Sequence, residues 1–249
     1  MMIDRLYQDS NLAQFYDFDN DEWTPDDDYY LELASKAHSI LDIGCGTGTL
    51  TNKIALTYPD KVIFGNDIAG SMLDIAKSKP AGEQITWIKS DAKSLSLPQK
   101  FDLIILSGHA FQVFLTHQER VAVLKCIDEH LAEGGLCIFD SRNPVVKEWL
   151  TWTKEDSQRQ FSHPTLGPVL AWNDFRINDN AVTYGTYYQT LNDKQVYQAF
   201  STIAFPDFAD IQQALAEANL IATKVLGNWQ GDAYHEQAEE MIFIIRQDK

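Results

Sequence analysis

Ile40-Leu41-Asp42-Ile43-Gly44-Cys45-Gly46-Thr47-Gly48-Thr49-Leu50 decides the fold. An apolar run suited to a buried strand meets three alternating glycines and passes into a segment compatible with a helix. Glycines at this spacing let the backbone turn tightly and approach a ligand without side-chain obstruction. A strand feeding such a turn brings backbone N–H groups and a helix N-terminus to one small site at the carboxyl edge of a sheet. The stretch therefore predicts a nucleotide-type cofactor site, with a plain tight turn as the alternative reading.

Working outward, residues 51–56 continue as a crossover helix that Pro59 ends. Residues 61–67 read as a second strand closing on Asp67, 19 residues past Gly48. That is near the offset of roughly 20 residues at which a second-strand carboxylate meets a ribose. The competing role for Asp67 is an ordinary cap of a helix over 68–76. Residues 85–89 form a third strand, followed by Ser90-Asp91-Ala92, where Asp91 suits either an adenine amino group or a turn. Residues 101–107 are an apolar run fit for a strand buried on both faces, and Gly108-His109-Ala110 sits at its carboxyl end. A helix over 117–131 stops at Gly134-Gly135, and a fifth strand over 136–140 leads to Ser141-Arg142-Asn143-Pro144. Such alternation predicts an α/β, doubly wound, Rossmann-like sheet with right-handed crossovers.

From Pro144 the pattern changes. Residues 169–177, 181–191 and 195–205 alternate apolar and polar side chains, with turn residues at 178–180 and 192–194. They predict an antiparallel β insertion over 150–206. A helix over 207–218 and strands over 221–226 and 240–245 complete the chain. Ahead of the glycine turn, residues 1–37 carry many aromatics and acids and read as a helical arm or lid, with helices over 12–16 and 26–37. Thr24-Pro25 suits the start of the second.

The glycine spacing separates cofactors. Gly44, Gly46 and Gly48 make G-x-G-x-G, whereas nicotinamide dehydrogenases carry G-x-G-x-x-G. With Asp42 ahead of it, the turn resembles motif I of the class I S-adenosylmethionine-dependent methyltransferases, D-x-G-x-G-x-G. Asp67 with Ile68 and Met72, Ser90-Asp91-Ala92, Phe101-Asp102 and residues 131–135 extend the resemblance over about 38–143. It implies a seven-stranded sheet of order 3-2-1-4-5-7-6 with the last strand antiparallel, its core being 38–149 and 207–249. It also implies S-adenosyl-L-methionine as cofactor and S-adenosyl-L-homocysteine as product. The cofactor set it implies is Tyr16 as a lid, Asp42, Gly44, Cys45, Gly46, Gly48, Asp67, Ile68, Met72, Asp91, Ala92 and Ser107. In such enzymes an insertion after strand five covers the substrate or makes a dimer contact.

Composition bounds the partners. With 20 basic and 36 acidic residues the net charge is −16, a field that repels nucleic acid and anionic membranes. No uninterrupted apolar run reaches the 18 or more residues of a membrane span, and the first residues lack the pattern of a signal peptide. Three cysteines without C-x-x-C fit a reducing cytoplasm. The six histidines show no zinc-ligand spacing, so no metal is expected. Methyl transfer requires alignment and exclusion of water more than any fixed catalytic motif. His109 is the candidate base, with packing beside Phe111 and Phe114 as its other reading. Arg142, Asn143, Trp172 and Tyr187 are candidate substrate contacts, although Arg142 and Asn143 equally suit fixing the loop before Pro144 and the aromatics also suit a core stripe. The reading is a methyltransferase acting on nitrogen, oxygen or carbon of a small molecule, as a monomer or homodimer. The rivals are a nicotinamide oxidoreductase and a non-catalytic cofactor-binding protein.

Overall fold

The computed structural model describes residues 5–20, 23–178 and 181–248. Four helices precede the first strand: α1 (Arg5–Gln8), α2 (Ser10–Ala13), α3 (Tyr16–Asp19) and α4 (Pro25–Lys36). Two short helices stand where one was expected over 12–16. The break falls at Phe15, which is fully buried against Tyr188, Tyr197 and His163, so its packing and not helix propensity sets the path of the chain. In α4, Pro25 occupies the first turn, and the backbone N–H of Thr24 donates to Asp27 Oδ2 at 2.9 Å. Tyr30 and Ala34 of this helix pack on the central sheet beside Ile40, Ile105, Ile138 and Ile242.

The central sheet follows as β1 (Ser39–Ile43), α5 (Thr49–Thr57), β2 (Val62–Asp67), α6 (Gly70–Ser78), β3 (Thr86–Lys89), β4 (Phe101–Leu106), α7 (His117–His130) and β5 (Leu131–Arg142). The insertion contributes α8 (Lys154–Ser157), β6 (Arg159–His163), β7 (Gly167–Asn178), β8 (Ala181–Thr190) and β9 (Val196–Ala204). Then α9 (Phe208–Glu217), β10 (Leu220–Leu226) and β11 (Glu240–Gln247) return to the core. The seven strands run β3-β2-β1-β4-β5-β11-β10, with β11 antiparallel to both neighbours. This is the expected order. Buried layers cover both faces, one built on Leu41, Ile104, Phe139 and Phe243 and the other on Ile40, Leu103, Ile138 and Ile242. The carboxyl ends of β1, β4 and β5 are thereby left as one open edge.

Two elements differ from expectation. Strand β5 begins at Leu131 and carries Gly134-Gly135 inside it, with an irregular register opposite Phe101 and Leu103. A Cβ on Gly135 would lie 2.9 Å from Phe101 O, so the glycine permits a close backbone approach in place of ending an element. The insertion has four strands where three were expected, because β6 (Arg-Gln-Phe-Ser-His) is a short edge strand with little apolar signal. The expected turn at 178–180 lies partly outside the described residues. At the other turn, Lys194 takes a left-handed backbone with φ 59°.

One face of the insertion sheet presents Val169, Ala171, Tyr188 and Ala199 to Leu6, Leu12 and Phe15 of the arm. Asp19 receives Arg159 and the hydroxyl of Tyr188, the latter at 3.0 Å, which ties α3 to that sheet. Helices α1 to α3 thus bridge the insertion and α6.

Candidate functional site

All three glycines of the turn have positive φ, 72° at Gly44, 55° at Gly46 and 67° at Gly48. The turn is stitched to β2, for Gly44 N and Cys45 N both donate to Asn66 O at 2.7 and 3.0 Å. Two glycines serve different ends. A Cβ on Gly48 would stand 2.6 Å from the Trp87 ring, so this position is needed for helix-to-strand packing, while a Cβ on Gly46 would meet nothing within 4 Å. Gly46 is the open side of the cradle. Its N–H donates to Asp67 Oδ2 at 2.9 Å, and Ala69 N donates to Oδ1 at 2.7 Å. Burial holds the Asp67 carboxyl above its ordinary value despite these bonds. Each oxygen keeps a further acceptor site for a hydroxyl.

Asp42 lies beneath the turn, 1% exposed. Thr51 Oγ1 donates to its Oδ2 at 2.5 Å, and its Oδ1 has no partner. Burial pushes this carboxyl up to about 7. A buried carboxylate oxygen without a donor is costly, and it marks where a ligand donor would be accommodated. Cys45 is half-buried, and burial holds its thiol well above the ordinary range, so it is a wall and not a nucleophile.

The arm closes over the β2 end. Tyr16 packs with Ala13, Ala69 and Met72, and burial, aided by Tyr184, Asp17 and Asp67, pushes its hydroxyl up to about 12. Asp17 binds the turn itself: its Oδ1 accepts from Thr47 Oγ1 at 2.5 Å, and its Oδ2 pairs with Lys79 Nζ at 2.9 Å. No sequence signal marks Asp17 and Lys79. One is an acid among many, and the other lies outside any motif. Ile68 is half-buried next to this patch, whereas Asp91 is engaged locally, accepting from Lys93 N at 3.0 Å and pairing with Lys93 Nζ. Ala92 begins the short turn Ala92–Ser94 and packs on the core. Ser107 follows the last residue of β4, and its carbonyl accepts from Ala110 N at 3.2 Å.

A Cβ on Gly44 would lie 3.3 Å from Ala110 Cβ, which places the segment after β4 directly against the glycine turn. In that segment His109 takes a left-handed backbone with φ 59°, and its N–H donates to Asp140 Oδ2 at 3.1 Å. Its Nε2 lies 2.9 and 3.1 Å from the two carboxylate oxygens of Glu240 and 3.4 Å from Asp140 Oδ2. Burial alone would lower this imidazole, but Asp140 and then Glu240 outweigh it and hold it above its ordinary value. Burial, with Glu240 adding to it, raises Asp140 against the opposing effect of His109. Tyr30 donates to Asp140 Oδ1 at 3.4 Å. The ligand-type atoms of His109, Asp140 and Glu240 lie within 4.8 Å of one another, compact enough for a cation, and the imidazole N–H itself supplies the donor that both carboxylates need. Asp140 and Glu240 join His109 from β5 and β11, so no spacing in the sequence announces the cluster.

The candidate substrate residues separate. Arg142 faces the site: its Nη1 donates to Gln112 Oε1 at 3.0 Å, and its guanidinium stands 5.3 Å from the Trp152 ring centre. Asn143 is spent on the loop, donating to Glu236 O and Ala238 O at 2.9 and 2.7 Å and accepting from Val145 N. Trp172 and Tyr187 stack at 5.3 Å, but on the face opposite Ala171 and Tyr188, away from the arm and the turn. Alternation along a strand shows two faces without saying which is inward. On the inward face the corresponding aromatics are Tyr184 and Tyr188.

A family model described as a methyltransferase domain matches residues 40–135. A cypemycin N-terminal methyltransferase from Streptomyces sp is 24% identical over 213 residues, covering 83% of this chain and 82% of that protein. A malonyl-[acyl-carrier protein] O-methyltransferase from Priestia megaterium is 38% identical over 103 residues, but these span only 41% of this chain and 36% of the relative. Among solved structures, an S-adenosylmethionine-dependent methyltransferase from Clostridium acetobutylicum superposes with TM-score 0.77 at 18% identity, covering 96% and 98% of the two chains. A sugar N-methyltransferase from Streptoalloteichus sp gives 0.73 at 15% identity, covering 98% and 95%. Residues 40–135 thus match a methyltransferase domain, and the whole fold, with its glycine cradle and strand order, is that of S-adenosylmethionine-dependent methyltransferases.

Proposed function

We propose that the chain moves a methyl group from S-adenosylmethionine to an amine nitrogen of a small molecule, with His109 as the proton acceptor. The observation that carries this reading is the His109 imidazole, held at Nε2 by Glu240 and Asp140 in the segment that meets the glycine turn through Ala110. An amine reaches the enzyme largely as its ammonium form and must lose a proton before its lone pair can attack. A neighbouring base serves that step, and two carboxylates beside the base attract the cation. The matches agree. The relative aligned over most of both chains acts on an N-terminus by its name, whereas the O-methyltransferase shares less than half of either chain.

When bound, S-adenosylmethionine supplies a methyl carbon made electrophilic by its sulfonium. The residues present fit it. Gly46 leaves open space, Asp42 Oδ1 offers an unpartnered buried acceptor for the methionyl ammonium, and Asp67 offers acceptor sites for the ribose hydroxyls. Ile68, Met72 and Tyr16 would bound the adenine side, with Asp91 and Ala92 at its edge and Cys45 and Ser107 as walls. Asp17 of the arm is tied to Thr47 and Lys79 at the turn, which would keep the arm over that edge of the site. With Nε2–H held by the carboxylates, Nδ1 is the nitrogen of His109 left to take the amine proton. The nitrogen lone pair would then be aligned on the methyl carbon, for which S-adenosylmethionine would supply the sulfide leaving group.

The test is label transfer from methyl-labelled S-adenosylmethionine to a mixture of small amines, alcohols, carboxylic acids and thiols. Label should enter amines, and His109→Gln should lower kcat about a hundredfold or more with the KM for the cofactor little changed. Transfer only to oxygen or sulfur, or an unaltered kcat in the variant, would overturn the reading.

A further inference from the structure

Between the inward face of the insertion sheet and the segment after β5 lies a patch that the cofactor does not account for. Trp149 packs on Phe205 at 4.4 Å, and Trp152 contacts both Phe205 at 6.2 Å and Tyr184 at 5.4 Å. Arg142 stands over Trp152. The patch continues toward the cofactor through Tyr184, whose hydroxyl meets that of Tyr7 at 3.2 Å, and Tyr7 lies edge-on to Tyr16. It continues toward His109 through Gln112, in the turn Ala110–Val113.

Six buried side-chain polar atoms lack a hydrogen-bond partner among the described residues, and three belong here: Trp149 Nε1, Arg142 Nε and Ser201 Oγ. Ser201 is 1% exposed and pairs with Tyr184 across the β8–β9 ladder. Arg142 Nε is 2.8 Å from Glu148 Oε2 without the alignment of a hydrogen bond, so the charge is balanced while the N–H stays unpaired. Two of the three groups can only donate, and a hydroxyl can do so as well. Buried donors without acceptors are rare and costly, and their clustering marks the place of a ligand bearing acceptors.

We infer that this patch is the acceptor-binding subsite and that it takes an amino sugar. The apolar face of the sugar ring lies on the aromatic wall, and its uncharged oxygens accept from Trp149, Arg142 and Ser201. Local charge balance favours neutral oxygens over a carboxylate, and the inference rests on the amine-methylation reading. A ring amine without oxygens would leave the donors unpaired, and sites built on such donors reject analogues that lack the acceptor.

Calorimetric titration of the protein saturated with S-adenosylhomocysteine would compare methyl aminohexopyranosides, with the amine at carbon 2, 3 or 4, against cyclohexylamine. At least one amino sugar should bind about tenfold or more tighter than cyclohexylamine. Trp149→Phe and Ser201→Ala should each weaken that sugar about fivefold while leaving cyclohexylamine and S-adenosylhomocysteine affinities unchanged. Equal binding of cyclohexylamine and every amino sugar, or unchanged sugar affinity in both variants, would overturn the inference. Methylation of cyclohexylamine without any sugar binding would sink the sugar subsite and spare the amine reading. Transfer confined to non-amine acceptors would remove both.

Discussion

Replacing Asp42 by asparagine should change the stability of the cofactor-free protein in opposite directions at low and high pH. Asp42 is 1% exposed and its carboxyl sits at about 7 instead of 3.8, chiefly through burial. A raised folded-state pKa means that the folded chain prefers the protonated acid. Stability is therefore full below pH about 4 and lost progressively as pH rises to about 7. That rise corresponds to about 4 kcal/mol at pH 8. Asparagine escapes this cost, keeps an acceptor for Thr51, and introduces a buried N–H that costs about 1–3 kcal/mol if unpaired. Asp42→Asn should thus gain about 2 kcal/mol at pH 8 and lose about 1 kcal/mol at pH 4.5, where the raised acid already costs the wild type about 1 kcal/mol. For a chain of this size that is a Tm rise of roughly 4–8 °C at pH 8 and a fall of roughly 2–4 °C at pH 4.5. Scanning calorimetry at both pH values reads it directly. Saturation with S-adenosylhomocysteine should narrow the gain at pH 8, because a cationic amino group at Oδ1 favours the ionised acid. A Tm change of the same sign at pH 4.5 and pH 8 would refute the reasoning.

Two further outcomes follow from the site. Glu240→Gln removes one carboxylate that holds His109 above its ordinary value, so the acid limb of kcat against pH should move to lower pH; a limb that stays in place removes His109 as the base. Phe15→Ala deletes a fully buried ring packed on Tyr188 and Tyr197, costing the docked arm about 3–5 kcal/mol. Amide exchange should then quicken over residues 5–20 and cofactor affinity should fall. Unchanged exchange there would show that the arm is held by other contacts.

The donor side of this enzyme is legible because it is local. The residues from Asp42 to Gly48 place an acid, three positive-φ positions and a helix start within one strand–turn–helix unit, and Asp67 follows one crossover later. Period and turn residues carry that information directly. The same locality explains much of the readable sheet order, since β1–β2, β2–β3 and β4–β5 each pair across a single crossover and only β4 returns to β1. Strand β6 escaped notice because its pairing, not its composition, makes it a strand. Phe15 broke an expected helix for a comparable reason: its partners are some 150 residues away in the insertion.

The acceptor side is built the other way. His109 acquires its chemistry from Asp140 on β5 and Glu240 on β11, and β11 reaches the site only because it inserts antiparallel beside β5. Trp172 and Tyr187 show the limit most clearly. They satisfy every local criterion for pocket aromatics, yet one residue of phase places them outside, while Tyr184 turns inward to Tyr7 and Trp152. Phase becomes readable only when the arm supplies Phe15 and Leu12 as the inward partner. The arm thus also defines which face of the insertion turns toward the proposed acceptor patch. Loosening it should affect acceptor selectivity together with cofactor affinity, which a change confined to either half of the site would not do.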